Sequence, residues 1–456
     1  MPSCRYCSKV SIQVSKFPDH WQVARLANVA NVTFSNVDKL TSDDEVSVRL
    51  CNYVDVYKHD RITADIDFME ASAEPREIER FQIQVGDVLV TKDSETPDDI
   101  AIGSVVTDEL PNVLCGYHLA MIRPCAHKLH GQYLAWLYAS KQFRSHYEAH
   151  AVGVTRFGLA QSIFKATKLS LPTLEEQKAI AAHLEVSCSA IDLAITAKRK
   201  QIESLTGVRT SLLQRVVTRG VDQDPVLVET GNSWLQKIPK GWSLVMLKRL
   251  AEIQSGLTLG KVYEDQEVLE YPYLRVANVQ DSYVDLEDVS TLEVPPAFAV
   301  GVMLRAGDVL MTEGGDLDKL GRGTVWAGQI EPCLHQNHVF AVRCYRHKLQ
   351  PHFLAYVTAA QYGRDYFEAT GKRTTNLAAT NSTKVGMFYI PLPPLEEQRE
   401  LVRYLDTELV RLAAIEANIG KQIDTLLAYR KSLIHECVTG KRRVTSADFS
   451  ENVANA

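Results

Sequence analysis

The chain carries the same ten-residue pattern twice, once near its middle and once near its carboxyl end. "LPTLEEQKAI" begins at Leu171 and "LPPLEEQREL" begins at Leu392, an offset of 221 in a chain of 456 residues. Fifty residues aligned at this offset share 16 identities without a gap. "FPDHW" likewise recurs as "IPKGW", and "GDVLV" recurs as "GDVLM", at the same offset. The chain is therefore a tandem duplication and is expected to fold as two similar halves.

A long helix is predicted after each copy of LEEQ. Thr173 and Glu176 have the spacing of a capping box, and Pro394 suits a first helical turn. No proline interrupts the next ~45 residues, which span ~67 Å as a helix. A heptad stripe this long cannot be buried against a single domain of ~150 residues, so we expect the two helices to pack against each other in antiparallel orientation. An ordinary bundle helix is the alternative.

One set of residues is expected to form the contacts between the two helices and the contacts with partner proteins. These residues are Leu174, Glu175, Gln177, Ile191, Ile195, Ile202, Leu205, Leu212, Leu395, Glu396, Gln398, Leu409, Leu412, Ile419, Ile423, Leu426 and Leu433. Four charged residues occupy heptad core positions and are expected to fix the register at some cost in stability: Lys198, Arg209, Glu416 and Arg430.

Each half also contains a globular domain, in which strand-like runs such as "FQIQVGDVLVT" precede segments with helical spacing. The predicted fold class is α/β (mixed α+β), with two homologous globular domains separated by two long antiparallel coiled-coil helices and related by a pseudo-two-fold axis. We interpret the LEEQ segments as hinge points. The expected segments are an amino-terminal tail (1–16), domain 1 (17–170), a central spacer helix (171–220), a linker (221–237), domain 2 (238–390), a carboxy-terminal spacer helix (391–441) and a tail (442–456).

Composition favours a cytoplasmic protein without a membrane partner. No uninterrupted apolar run approaches the ~18 residues that a membrane span needs, and the amino terminus does not resemble a signal peptide. The nine cysteines are odd in number and scattered, which indicates free thiols. Cys4 and Cys7 form a CxxC, but no second pair follows at zinc-finger spacing, so a tail is favoured over a metal site.

The sequence contains no recognisable catalytic constellation. "EGGDLDKLGRG" is rich in glycine but lacks the residue order of a phosphate-binding loop, and neither HExxH nor GxSxG occurs. His118 and His338 correspond between the halves, but single histidines beside apolar strands are more often structural than metal ligands. We therefore expect no catalytic residue, metal or cofactor in this chain.

Positive charge is concentrated in two corresponding stretches, although the net charge is -6. Residues 123–168 carry seven Lys and Arg against one acid, and residues 343–384 carry seven against two. Cations interleaved with aromatic and amide side chains suit phosphates and base edges, while a solvated loop is the structural alternative. The candidate DNA-binding residues are Arg144, Arg156, Lys165, Lys168, Arg364, Lys372, Arg373, Thr375, Asn376, Asn381 and Lys384.

The motifs "IPKGW", "GDVLMTEGGDLDKLGRGTVW", "LPxLEEQ" and "VTRGVD…WLQKIPKGW" together resemble those of the specificity (S) subunits of type I restriction-modification systems. The resemblance extends from about Phe17 to Lys441. It implies that each globular half is a target-recognition domain that reads one part of an asymmetric bipartite site on double-stranded DNA. It also implies that the helices set the spacer and dock two modification (methyltransferase) subunits.

The resemblance further implies that this chain is not an enzyme. S-adenosylmethionine, ATP and Mg would be used by the modification subunits and by restriction/translocase subunits. Two other functions fit the residues: a non-DNA-binding coiled-coil adaptor, and a stand-alone DNA-modifying enzyme with an unrecognised active site.

Overall fold

A computed structural model of the protein describes residues 17–261, 263, 266–315, 320–373 and 378–444. The chain divides into two compact units. Unit 1 comprises residues 1–198 and 421–456, and unit 2 comprises residues 199–420. Each unit therefore contains one globular domain and parts of both long helices.

Unit 1 is a mixed α/β domain. Its strands are β1 (Gln22–Arg25), β2 (Ala30–Phe34), β3 (Val46–Cys51), β4 (Arg61–Ile62), β5 (Met69–Ala73), β6 (Val88–Thr91), β7 (Asp93–Ser94), β8 (Gly103–Val106), β9 (Val113–Cys115), β10 (Leu119–Pro124), β11 (Val152–Gly153), β12 (Phe157–Gly158) and β13 (Lys168–Leu171). Its helices are α1 (Tyr53–Lys58), α2 (Pro75–Phe81), α3 (Gly131–Ala139), α4 (Lys141–Glu148) and α5 (Gln161–Ala166), followed by the central helix α6 (Leu174–Arg219).

Unit 2 repeats this plan. Its strands are β14 (Leu227–Glu229), β15 (Lys237–Pro239), β16 (Ser243–Met246), β17 (Ala251–Ser255), β18 (Leu269–Leu274), β19 (Ser290–Val294), β20 (Val309–Thr312), β21 (Gly314–Gly315), β22 (Gly323–Val325), β23 (Leu334–His335), β24 (Val339–Cys344), β25 (Lys372–Arg373), β26 (Ala378–Ala379) and β27 (Tyr389–Leu392). Its helices are α7 (Pro296–Ala299), α8 (Pro351–Ala359), α9 (Gln361–Thr370) and α10 (Ser382–Met387), followed by the carboxy-terminal helix α11 (Leu395–Val438).

The two units share one sheet topology. Unit 1 has a central sheet of order β2-β10-β6-β8-β4, and unit 2 has the matching order β17-β24-β20-β22. A second sheet, β5-β3-β9 or β19-β18-β23, combines an antiparallel and a parallel pairing in both units. Strand β1 also pairs with β13, and β16 pairs with β27, with Gln22 opposite Leu171 and Ser243 opposite Leu392. These pairings keep the 221-residue offset, so the duplication extends to strand register.

The Gly-Asp motif explains why the central strand of each unit begins where it does. Gly86 adopts a φ of +91°, which an L side chain rarely adopts, and it turns the chain into β6. Asp87 is 1% exposed, accepts a hydrogen bond from the Gln84 amide at 2.9 Å, and forms a bidentate pair with Arg123 at 2.7 and 2.8 Å. Asp308 and Arg343 repeat this pair in unit 2. The motif is therefore structural in both units.

A buried glutamine fixes the start of each long helix to its globular domain. Gln177 is 1% exposed, and its Oε1 accepts a hydrogen bond from the His130 amide at 2.9 Å. Its Nε2 donates to the carbonyl oxygens of Lys128 and Pro172 at 3.0 and 3.1 Å. Gln398 makes the same three contacts in unit 2. A buried side-chain amide whose hydrogen-bond partners are all present holds one geometry. Each helix therefore leaves its domain in a fixed direction.

A tryptophan and a glycine complete each attachment. Trp21 Nε1 donates to Glu176 Oε1 at 3.1 Å, and Trp242 Nε1 donates to Glu397 at 3.0 Å. Gly440, at the end of α11, lies against the Trp21 ring, and a β-carbon there would approach Trp21 to 3.0 Å. We call these two sets the helix joints: Trp21, Glu176, Gln177 and Gly440 in unit 1, and Trp242, Glu397, Gln398 and Gly220 in unit 2.

The helix joints correct two expectations. The LEEQ segments are not hinges, because Gln177 and Gln398 are buried and hydrogen-bonded on both sides of the junction. The predicted capping box is also only half formed. Thr173 Oγ1 accepts from the Glu176 amide at 3.3 Å, but the Glu176 carboxylate is directed to Trp21 and does not return to the cap.

Within each unit the two long helices run antiparallel. In unit 1, Leu184 and Ile191 of α6 lie in the same core as Leu433 of α11, which places the start of one helix beside the end of the other. In unit 2, Val217 near the end of α6 shares a core with Leu405 near the start of α11. In unit 1 the contacts Asp192–Arg430 and Lys198–Gln422 run in opposite directions along the two helices, as an antiparallel pair requires.

The heptad positions do not form one continuous buried stripe, so this prediction is wrong. Arg209 and Glu416 are exposed, whereas Leu213 and Ile434, outside the predicted heptad, are buried. The reason is that the helix ends pack on a globular domain as well as on each other, which requires a wider apolar face than a two-stranded seam. Among the other predicted contact residues, Ile191, Ile195, Ile419 and Leu433 are buried; Glu175 and Glu396 are exposed; and Leu174, Ile202, Leu205, Leu212, Leu395, Leu409, Leu412, Ile423 and Leu426 are half-buried.

Arg430 is the one charged heptad position with several partners in unit 1. Its Nη2 lies 2.7 Å from Asp60, and its Nε lies 3.2 Å from Asp192 of α6. Its guanidinium also lies 5.9 Å from the centre of the Trp136 ring. Lys198 forms a hydrogen bond with Gln422 across the same helix pair. These contacts bind α11 to both α6 and the globular domain.

Two further segments differ from expectation. The predicted linker 221–237 contains β14, which pairs with β15 as an antiparallel hairpin. Helix α6 contains an 18-residue window that is long and apolar enough by composition to cross a membrane. Ile180, Leu184 and Ile191 of this helix pack in the core of unit 1, and this burial accounts for their apolar character.

The helix joint predicts that Gln177→Glu destabilises the protein. The new carboxylate oxygen would face the Lys128 and Pro172 carbonyls and donate to neither, so we expect the free energy of unfolding to fall by about 2–4 kcal/mol. Urea denaturation measures this change. Glu175→Gln is the matched control, because the Glu175 side chain is 85% exposed, and it should change stability by less than about 0.5 kcal/mol. Equal stability of Gln177→Glu and its control would contradict a rigid joint.

Candidate nucleic-acid interface

A small three-stranded sheet extends from the central strand of each unit, and we call it the edge sheet. In unit 1 it has the order β11-β12-β7, and in unit 2 it has the order β21-β26-β25. Strand β7 begins two residues after β6 ends, and β21 begins two residues after β20 ends. The Gly-Asp turn therefore positions both edge sheets in the same way. The predicted DNA-binding residues Arg156, Lys372 and Arg373 lie in these sheets or in the turns that join their strands.

The edge sheet of unit 1 ends in an exposed hairpin. Val152 pairs with Gly158 and Gly153 pairs with Phe157, and Val152 and Val154 are 79% and 91% exposed. Gly153 permits this register, because a β-carbon there would lie 1.9 Å from the Arg156 carbonyl oxygen. The hairpin therefore presents apolar and cationic side chains to solvent on a backbone that tolerates no side chain at position 153.

Arg156 is held at this hairpin by a carboxylate. Its Nη2 lies 2.8 Å from Asp93 Oδ1, and it lies 3.2 Å from His118 Nδ1. His118 Nδ1 also lies 2.9 Å from Asp93 Oδ2. The Arg156 side chain is 55% exposed while Asp93 is 16% exposed. Because the guanidinium has five N–H donors, this pairing orients Arg156 and leaves donors directed to solvent.

Lys92 lies next to Asp93 of the same cluster, and it was not identified from the sequence. Its Nζ lies 4.5 Å from the Tyr117 ring centre and 5.0 Å from the Phe34 ring centre. It also donates to the Ser35 carbonyl at 3.1 Å. Burial lowers the pKa of Lys92, and the adjacent Asp93 opposes that effect. Sequence reasoning missed it because its aromatic partners, Phe34 and Tyr117, are distant from it in the chain.

The edge sheet of unit 2 also lies beside a histidine paired with a carboxylate, but different residues supply its charges. His338 occupies the position of His118, and its Nδ1 lies 2.6 Å from Glu313. Glu313 corresponds in sequence to Lys92, not to Asp93. The carboxylate that pairs with the histidine therefore follows the central strand by two residues in unit 1 and by one residue in unit 2. Lys372 is exposed. Thr375, Asn376 and the side chain of Arg373 lie outside the described residues. The same frame therefore presents a different set of side chains in each unit.

The other predicted DNA-binding residues are spread over neighbouring elements. Lys165 on α5 and Lys168 on β13 are exposed, and Arg144 on α4 is half-buried. These three remain predictions.

Three predicted residues of unit 2 have partners within the protein. Arg364 lies 3.0 Å from Asp281, and Asn381 Oδ1 accepts a hydrogen bond from the Lys384 amide at 2.9 Å as the cap of α10. Lys384 Nζ donates to the Thr370 carbonyl. Each contact stabilises a local element, and the assignment of these residues to DNA stays a prediction. Within the described ranges no group of three His, Cys, Asp or Glu side chains could hold a metal ion, and Cys4 and Cys7 lie outside those ranges.

Comparison with known proteins identifies the family. The family model described as "Type I restriction modification DNA specificity domain" matches residues 18–204 and again residues 239–425. The chain belongs to this family. The two matches fall on the two halves of the duplication, and each includes the tryptophan, glutamate and glutamine of a helix joint, an edge sheet and the start of a long helix.

Several specificity subunits are similar in sequence. The putative MjaX specificity subunit of Methanocaldococcus jannaschii is 26% identical over 44% of this chain, and the match spans only about half of that protein, 47%. The MjaVIII subunit of the same organism is 27% identical over 63% of this chain and 65% of its own length. The EcoKI specificity subunit of Escherichia coli is 22% identical over 91% of this chain and 87% of its own length.

Solved structures share the fold. A chain from a study of complex assembly and conformational transition of the type I R-M system has a TM-score of 0.70 and 19% identity, covering 93% of this chain and 98% of that chain. The HsdS subunit from Thermoanaerobacter tengcongensis has a TM-score of 0.56 and 18% identity, covering 94% and 98%. The predicted fold class, two homologous mixed α/β domains with two long helices, is thereby confirmed.

The hairpin of this specificity domain predicts a sharp difference between two glycines. Gly153→Ala places a methyl group against the Arg156 carbonyl and should break the β11–β12 pairing, whereas a β-carbon at Gly158 meets no atom within 4 Å. We expect amide hydrogen exchange at residues 152–158 to become at least about tenfold faster in Gly153→Ala, a loss of ~1.4 kcal/mol of local protection. Gly158→Ala should exchange as the wild type does. Similar exchange in both variants would exclude the described hairpin register.

Proposed function

We propose that this protein is the sequence-specific DNA-recognition subunit of a type I restriction-modification complex. Each unit reads one part of an asymmetric bipartite site on double-stranded DNA. The observation that carries this proposal is the repetition of one edge sheet, with basic side chains beside a paired histidine, in two segments that each match the specificity-domain model. The names of the relatives support the same function, because all are specificity subunits of type I restriction enzymes.

Recognition would depend on the exposed side chains of the edge sheets. A β-hairpin fits the major groove, where a guanidinium bonds guanine O6 and N7 in a bidentate manner. Arg156 suits this role, because Asp93 orients it from a partly buried position. The carboxylate at Glu313 and the Lys372-Arg373 pair give unit 2 a different pattern. Because the two edge sheets carry different side chains on the same backbone arrangement, we expect them to read two different DNA elements.

The long helices would set the distance between the elements and bind the other subunits. Helix α6 has 46 residues, or ~69 Å at ~1.5 Å per residue, which corresponds to at most ~20 base pairs at ~3.4 Å each. Apolar side chains remain exposed on the helices, including Leu193 at 71% and Val410 at 70%. We propose that two modification subunits contact these exposed helix surfaces.

Catalysis would belong to those partners. We propose that the modification subunits hold S-adenosylmethionine and that restriction/translocase subunits use ATP and Mg, while this chain contributes no catalytic group. The complex would act in the cytoplasm, where the DNA is accessible. This division of labour distinguishes the proposal from a stand-alone modifying enzyme, and DNA binding distinguishes it from a structural adaptor.

Substitutions in the two edge sheets should act on separate DNA elements. In the complex with its modification subunits, Arg156→Ala should lower the preference for the correct bases within the first element by roughly 10- to 100-fold, the effect of ~1–3 kcal/mol for one bidentate contact. Arg373→Ala should affect only the second element. Genome-wide methylation mapping measures both. Arg76→Ala is the control, because its side chain on α2 is exposed and belongs to neither an edge sheet nor a long helix.

The outcomes separate the candidate functions. Equal loss at both elements in either variant would indicate a nonspecific phosphate contact and contradict element reading. Absence of DNA binding with any modification subunit would favour the adaptor. Methyl transfer by this chain alone would favour the stand-alone enzyme.

A further inference from the structure

The tip of the unit 1 hairpin carries two valines that the core does not use. Val154 is 91% exposed and Val152 is 79% exposed. Among the described residues, these are the two most exposed of the large hydrophobic side chains. Single exposed apolar residues are ordinary on a protein surface. Here, however, the two most exposed ones lie two residues apart, on the hairpin that also carries Arg156.

The turn itself does not require valine at position 154 either. Residues 154–156 connect β11 to β12, and their sequence is Val-Thr-Arg. Tight turns favour glycine, proline, asparagine, aspartate and serine, whose side chains or backbone freedom suit the required conformations. Valine is stiff about its first side-chain torsion and is enriched in strands. Val154 therefore contributes neither to the core nor to the chemistry of the turn.

The hairpin holds Val154 at a defined distance from the oriented arginine. The backbone of Gly153 lies so close to the Arg156 carbonyl that a β-carbon would not fit between them. Strand β12 is anchored in turn, because Gly158 pairs with Asp93 and the Asp93 carboxylate holds Arg156 at 2.8 Å. Two residues span at most ~7 Å of chain, which is the rise of about two base pairs. A base bonded by Arg156 would therefore lie within about two base pairs of Val154.

The major groove offers one apolar group to such a side chain. Thymine presents its C5 methyl group there, whereas the other base-edge groups are hydrogen-bond donors or acceptors. A valine placed over a donor or acceptor would remove it from water without replacing its hydrogen bond, which is unfavourable. The charge of the tip also suits DNA, because Arg156 is the only Lys, Arg, Asp or Glu between Ala149 and Ala160.

We propose that Val154 reads the C5 methyl group of a thymine in the first DNA element, within about two base pairs of the guanine that Arg156 bonds. This inference rests on the proposed function and names one base-edge group that unit 1 selects. Arg156 supplies the hydrogen bonds, and Val154 supplies an apolar contact. Cytosine is disfavoured at the same position, because it lacks the methyl group and presents an amino group that valine cannot bond.

Duplexes with deoxyuridine in place of thymine test this proposal, since uracil lacks only the C5 methyl group. The complex with its modification subunits is titrated with synthetic duplexes that carry its mapped methylation site, and each thymine of the first element is replaced in turn. One replacement, within about two base pairs of the position where Arg156→Ala relaxes base preference, should weaken binding roughly fourfold, the equivalent of ~0.8 kcal/mol for one buried carbon group.

The Val154→Ser complex should bind the thymine and deoxyuridine duplexes equally at that position. Val85→Ser is the matched control, because Val85 is a 56% exposed valine of unit 1 outside the edge sheet. The control complex should keep the fourfold loss. The 91% exposure of Val154 makes the serine variant compatible with the fold.

Four results would overturn the proposal. The first element could lack a thymine that is sensitive to deoxyuridine, or the sensitivity could persist in Val154→Ser. An equal loss of affinity in Val154→Ser for the mapped site and for a scrambled duplex would indicate an apolar wedge between bases. Unchanged DNA affinity with weaker assembly of the complex would assign the tip to a protein partner. A wild-type complex that does not distinguish its mapped site from a scrambled duplex would instead contradict the proposed function itself.

Discussion

The helix joint is the contact on which the rest of this structure depends. Gln177 and Gln398 each form two hydrogen bonds with one loop of a globular domain and a third with the proline that follows the last strand of that domain. The tryptophan–glutamate bond and the glycine at the end of the opposite helix close the same junction. Because each joint contains the start of one long helix and the end of the other, the directions of both helices are fixed relative to the globular domain at that joint. A globular domain attached in this way has a fixed position relative to the helix ends that it contacts.

Duplication with divergence gives the two units one frame with different exposed side chains. The Gly-Asp turn and the Asp–Arg pair that hold the central strand are the same in both units. The edge sheet that grows from this strand carries Asp93 and Arg156 in unit 1, but Glu313 and Lys372 in unit 2. Strong contacts thus maintain the frame, while exposed residues that contribute little to stability are free to differ.

Much of this architecture could be predicted from the sequence, because the internal repeat revealed equivalent positions. The repeat predicted two domains and two long helices, and the basic stretches predicted Arg156 and Lys372, which lie on the edge sheets. The roles of Glu176 and Gln177 could not be predicted, since their partners Trp21 and His130 are distant in the chain. The heptad failed near Arg209 because packing on a domain, and not periodicity alone, decides which helix face is buried. Lys92 was missed for the same reason, since its contacts are tertiary.

The central claim is that rigidly joined antiparallel helices set the distance between the two DNA elements. Inserting one heptad in both helices, after Gln201 in α6 and after Asn418 in α11, lengthens the pair by ~10.5 Å while preserving helical phase. Methylation mapping of the complex carrying this variant is the direct measurement. The account predicts that both read elements stay unchanged and that the spacer between them grows by about three base pairs. An unchanged spacer, with both elements still read, would contradict it.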